Sequence, residues 1–83
     1  MTTTVRTPDG QTVFQVHEHR FWSPVLGEDA VRVSMFDDRG GEFFMVLPER
    51  DGRQYRQARL DAAEAIDQAI REGCEPGEVR VLQ

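Results

Sequence analysis

Three glycine-bearing turn signals divide this chain: Pro8-Asp9-Gly10, Asp38-Arg39-Gly40-Gly41 and Asp51-Gly52. Asp-Gly and Gly-Gly steps supply the positive φ that tight hairpins require, and each signal lies between apolar or alternating segments. Three hairpins are the natural reading, and with them an antiparallel sheet. A chain of 83 residues is one domain. Folding at this size buries only about 60% of the unfolded surface, so most large apolar residues are needed in the core. All five phenylalanines and the single tryptophan lie between Phe14 and Phe44, which places the centre of that core.

Residues 3–7 and 11–18 flank the first turn as strand candidates, with Val13, Phe14 and Val16 as apolar members. Over 30–37, Val31, Val33 and Met35 alternate with Arg32 and Ser34, the period of a half-buried strand. Phe43-Phe44-Met45-Val46-Leu47 is apolar on both faces and reads as a central strand covered on both sides. Residues 53–59 are polar enough for an edge strand. Val79, Val81 and Leu82 suggest a short final one.

The helix is placed from Asp61 to Glu72. Asp61 is the expected N-cap, Glu64 completes a D-x-x-E capping box, and Leu60 and Ala65 stand at the staple positions. Ala62, Ile66, Ala69 and Ile70 form one apolar stripe. Gly73 ends the helix as a C′ residue, and Pro76 prevents its resumption. Tyr55, Arg59, Ala62, Ile66 and Gly73 also fall near helical spacing, which leaves open a helix that begins before Leu60. The expected fold is α+β: an antiparallel meander of four to five strands, one C-terminal helix on a sheet face and a short final strand, all in a single domain over 1–83.

The formal charge is −5, which argues against a dedicated binder of bare nucleic acid. Residues 1–29 carry −2, residues 30–60 carry +1 and residues 61–83 carry −4. The ten basic residues are all arginine, as GC-rich coding would give. The single Cys74 rules out an intramolecular disulfide framework and fits a reducing compartment. With no signal-peptide pattern at the N-terminus and no long apolar run, a cytoplasmic location and no membrane association are expected.

His17-Glu18-His19 is the most chemical-looking triplet, because a strand would project both imidazoles from one face. A metal site needs further ligands, and none is spaced to supply them; metal and cofactor are both expected to be none. Cys74 follows a helix end and lacks the dipole assistance that lowers a thiol pKa. Ser23 and Ser34 have no accompanying motif, and Asp37-Asp38 sits where aspartate favours a turn. No catalytic residue is assigned. The expectation is not an enzyme.

Arg50, Arg53, Arg56 and Arg59 recur every three residues around Tyr55. On an exposed strand, Arg53, Tyr55, Gln57 and Arg59 would share a face fit for phosphate or base contacts. Three antiparallel strands (30–37, 42–47, 53–59) followed by a helix resemble, in element order, small DNA-binding domains of the AP2 and integrase-arm type. That resemblance implies a nucleic-acid-binding module using the arginine-bearing strand. The sequence departs from those domains in its acidic balance and its lack of lysine. Phe36-Asp37-Asp38 with Gly41 and Phe43 resembles the opening of MbtH-like proteins, without the paired tryptophans expected downstream.

The segment Arg20-Phe21-Trp22-Ser23-Pro24-Val25-Leu26-Gly27 reads as a long loop with four large apolar residues. Trp and Arg are the commonest interface hot spots, so the alternatives are a partner site, a lid over the core, or both at once. The expected function is a small, acidic, non-enzymatic protein-interaction module, of the kind a phage or mobile element uses as an inhibitor on a host protein's surface. Its partner-binding residues are Phe21, Trp22, Val25, Leu26, Arg53, Tyr55, Arg56 and Arg59. The partner is another protein, with a homodimer as a second expectation and direct nucleic-acid binding ranked below both. An apolar pattern without a complete ligand set predicts folding without metal. EDTA should leave the thermal unfolding midpoint unchanged, and a loss of several degrees would return His17 and His19 to a metal role.

Overall fold

In the computed structural model, residues 2–7, 9–49 and 52–79 are described, with residues 52–55 taken from their backbone alone. Strands β1 (Thr2–Arg6), β2 (Val13–Ser23), β3 (Glu28–Phe36) and β4 (Glu42–Pro48) are followed by helix α1 (Gly52–Arg71) and strand β5 (Gly77–Glu78). The sheet order is β1-β2-β3-β4-β5. The first four strands form an antiparallel meander, and β5 runs parallel to β4 after the helix has crossed back over the sheet. The expected α+β meander with one helix and a short final strand is present. Of the residues proposed for that last strand, Val79 donates its N–H to the Phe44 carbonyl (2.8 Å), and 81 and 82 lie outside the described residues.

Two of the three turn signals make hairpins. Between β1 and β2, Gly10 adopts φ 71° and the Asp9 carboxylate accepts from the Thr7 hydroxyl and the Gln11 N–H. Those two hydrogen bonds, the Thr7 bond first, hold the Asp9 carboxyl below its ordinary pKa. Between β3 and β4, Asp37 Oδ1 accepts from the N–H groups of Arg39 (3.0 Å) and Gly41 (2.7 Å). A Cβ on Gly41 would lie 2.6 Å from Pro76 Cγ, so this turn and the segment after the helix pack too closely for a side chain there. The third signal departs from expectation. Gly52 is the first residue of α1, so residues 53–59 form its opening turns rather than an edge strand.

Asp61 is therefore not an N-cap. It lies inside the helix, exposed, and accepts from Gln57 Nε2 at 2.8 Å. Arg, Gln, Ala and Leu over 53–60 are strong helix formers, and the run lacks the β-branched residues that favour a strand. The other end of the helix is as expected. Gly73 adopts φ 76°, its N–H bonds Ile70 O (3.1 Å), and Cys74 N–H reaches back to Ala69 O (3.1 Å). This pair of bonds is a Schellman cap. Asp67 and Arg71 make the expected i,i+4 ion pair (2.8 Å).

The core lies between α1 and one face of the sheet. Leu60, Ala62, Ala63, Ile66 and Ala69 of the helix meet Phe14, Val16, Val31, Val33 and Phe43 of the strands, all buried. The strand registers put Glu18 on this same face, opposite Val33. There it pairs with Arg59 of the helix, and both side chains are mostly buried. No described helix is long and apolar enough to cross a membrane. Asp61→Ala should cost less than about 0.5 kcal/mol, as an exposed mid-helix substitution does. Gly73→Ala should cost about 1–2 kcal/mol, because Ala resists the left-handed conformation. Urea denaturation of the two variants measures both, and the reverse order would restore Asp61 as the cap.

Candidate protein-interaction surface

Residues 20–27 do not form a long loop. β2 continues through Ser23, and a tight turn over 24–27 returns the chain at Glu28, where Ser23 and Glu28 pair. Ser23 builds this turn. Its buried hydroxyl accepts from Leu26 N–H (3.1 Å), and its carbonyl accepts from Gly27 N–H (2.7 Å). Gly27, with φ 68°, supplies the one left-handed residue the return needs.

The hairpin tip does not lie over the core as a lid. Trp22 is 61% exposed, Val25 92% and Leu26 44%. Behind the tip, Arg20 pairs with Glu49 at 3.4 Å, and Glu49 N–H bonds Asp29 O (2.9 Å), tying the hairpin to the end of β4.

Phe21 parts company with Trp22. Successive strand residues point to opposite faces, so Trp22 lies on the helix side and Phe21 on the far side, half-buried and stacked with His19 (14° between rings, centroids 6.4 Å apart). Among the described residues, no helix lies over that far face. Arg32 places its guanidinium 3.7 Å from the Phe44 ring centroid while Nε and a terminal nitrogen reach Glu42 Oε1 at 2.9 and 2.8 Å. His17 and Phe36 pack edge-to-face with ring centroids 5.2 Å apart, and Phe36 is exposed. Phe44 and Val46 on this face are half-buried, as are Met45 and Leu47 on the helix side, where Phe43 is the buried residue of β4. The two histidines do share a face, yet no three metal-ligating side chains come together among the described residues.

The arginines of the expected site fall elsewhere. Arg56 and Arg59 lie on the opening turns of α1 and line a cleft of about 410 Å³ against β1, together with Arg6. Arg53 and Tyr55 belong to the same turns by their backbone, and their side chains lie outside the described residues, as does Arg50. The strand face that would have aligned Arg53, Tyr55, Gln57 and Arg59 is not formed. The structure thus splits the expected site into an apolar hairpin tip (Trp22, Val25, Leu26), a half-buried aromatic on the far face (Phe21) and an arginine cleft (Arg56, Arg59).

Sequence reasoning missed Arg6 and the Arg32–Phe44–Glu42 cluster. The apolar doublet Phe43-Phe44 was the signal for the latter, since one of two neighbours on a strand must face away from the helix. No protein-family model matches the chain, and no curated protein or solved structure matches it. Because Trp22 is the only tryptophan, fluorescence excited selectively at tryptophan reports the tip alone. Emission should be red-shifted and readily quenched by iodide, and Trp22→Ala should lower stability by less than about 1 kcal/mol. A loss of about 3–5 kcal/mol, the cost of a buried aromatic, would make the tip part of the core.

Proposed function

We propose that the protein is a non-enzymatic module that binds another protein through its β2–β3 hairpin. The observation that carries this reading is the exposed apolar tip, where Trp22, Val25 and Leu26 stand in solvent on a turn fixed by Ser23. An apolar side chain held rigidly in water loses little conformational entropy on docking, and Trp is the residue most enriched among interface hot spots. The acidic balance also favours a protein over a nucleic acid as partner. Dispersal of the arginines from the expected strand face removes the platform on which direct nucleic-acid binding rested.

Immobilised protein should retrieve a defined partner from an extract of its own source. Titration with that partner should shift Trp22 emission to the blue. Trp22→Ala should weaken the complex by about 2 kcal/mol, roughly thirty-fold. Full retention of the partner by Trp22→Ala would remove the hairpin from the interface. A salt-dependent shift of a labelled oligonucleotide by the protein, without any retrieved protein, would replace the reading with nucleic-acid binding.

A further inference from the structure

β1 is an outer strand, and its free edge is an extended-backbone template. Thr7 N–H donates to Thr12 O (3.0 Å), which makes that pair hydrogen-bonded. The alternation of an antiparallel ladder then directs the backbone groups of Val5 and Thr3 inward to Phe14 and Val16. Those of Thr4 and Arg6 point the other way, to the side where no further strand pairs with β1 among the described residues. An edge of this kind pairs with any extended segment that fits beside it.

What fits is set by the cleft between this edge and α1. Its strand wall includes Thr4, Val5 and Arg6, and its helix wall Arg56, Arg59 and Leu60. Three of the chain's ten arginines line it, Arg56 and Arg59 from the helix and Arg6 from the strand, and no acidic side chain does so among the described residues. Arg59 is engaged by Glu18 from within the core. Arg6 and Arg56 are exposed, and neither makes an ion pair among the described residues. In a protein of net charge −5, this is a local positive site beside an unpaired strand edge.

We propose that the β1 edge receives an acidic extended segment of a partner protein, added antiparallel or parallel as a sixth strand. The partner's main chain bonds the outward groups of Thr4 and Arg6. Carboxylates at adjacent positions, alternating between faces, reach Arg56 on the helix side and Arg6 on the far side. Strand addition of this kind takes affinity from main-chain bonds and specificity from alternate side chains. A free phosphate would satisfy the arginines and leave the edge unpaired. A nucleic acid would bring its charge to a surface that is acidic in sum.

The inference rests on reading the chain as a protein-binding module but uses a surface distinct from the hairpin tip, so the two fail separately. The probe is a fluorescein-labelled octapeptide of valine and threonine with a central Glu-Asp pair, titrated at low salt into the whole protein. Anisotropy should rise, and the amide resonances of Thr4 and Arg6 should shift. Arg6→Gln combined with Arg56→Gln should weaken binding at least tenfold, while Trp22→Ala should leave it unchanged.

Three controls carry the alternatives: the peptide with Gln-Asn in place of Glu-Asp, the acidic peptide with a central proline, and a single-stranded oligonucleotide. Equal binding by the Gln-Asn or the proline peptide overturns the proposal, as does binding of the oligonucleotide with no peptide bound. So does absence of Thr4 and Arg6 shifts at millimolar acidic peptide. Loss of peptide binding in Trp22→Ala would instead merge the two surfaces and overturn the assignment to β1.

Discussion

The fold depends on how closely α1 can approach the sheet. Its inner stripe is short side chains, Ala62, Ala63 and Ala69, with Ile66 as the only large residue wholly buried in it. Against it stand Val16, Val31 and Val33, which are β-branched and stiff, with Phe14 and Phe43 at the flanks. Small residues on the helix and branched ones on the strands let two regular surfaces meet without gaps. Because the described residues form one helix, only one face of the sheet is served this way. The far face must make do with local devices, and it does: Arg32 lies over Phe44, His19 stacks on Phe21, and His17 and Phe36 pack edge-to-face.

The Glu18–Arg59 pair belongs to the same interface and sets its limits. Both residues occupy positions that the strand and helix periods assign to the inner face. A charge there is tolerated only with its counter-charge, since burial of either alone would be costly. The pair therefore fixes where along β2 the helix can sit. Beyond it, β2 carries Arg20 and Trp22 on the same face, out where the side chains are exposed. The hairpin tip projects because the apolar part of the interface has already ended.

Much of the sheet was legible in the sequence, because alternation and glycine turns are local signals. Val31, Val33 and Met35 gave the face of β3, and Gly10, Gly40 and Gly73 each adopt the positive φ their settings implied. The helix start was misplaced for an identifiable reason. Leu60-Asp61-x-x-Glu64 imitates a capping box, whereas the true opening turns are rich in arginine and glutamine and carry little apolar pattern. Arg59 sits where a hydrophobe would be expected, and its partner Glu18 is forty-one positions away, beyond the reach of any local rule. The candidate surface was half legible: the exposed apolar residues were identified, but Phe21 and Trp22 were read as one loop unit, because a strand of eleven residues was cut short at 18. Arg6 escaped notice because its meaning comes from Arg56, which only the packed helix brings near.

The parallel pairing of β5 with β4 carries a consequence for the order in which the chain assembles. Strands β1 to β4 pair with their sequence neighbours across turns of a few residues. Phe43 and Gly77, by contrast, are joined across thirty-four positions, with the whole of α1 inside the closed loop. Closing that loop is entropically costly and returns only a two-residue ladder and the Val79–Phe44 bond. The meander and the docked helix must be largely in place before β5 has anything to join. Pro76, against which Gly41 has no room for a side chain, then acts as the latch between the last piece to arrive and the β3–β4 turn. Strand β5 can thus open at little cost to the meander and the helix.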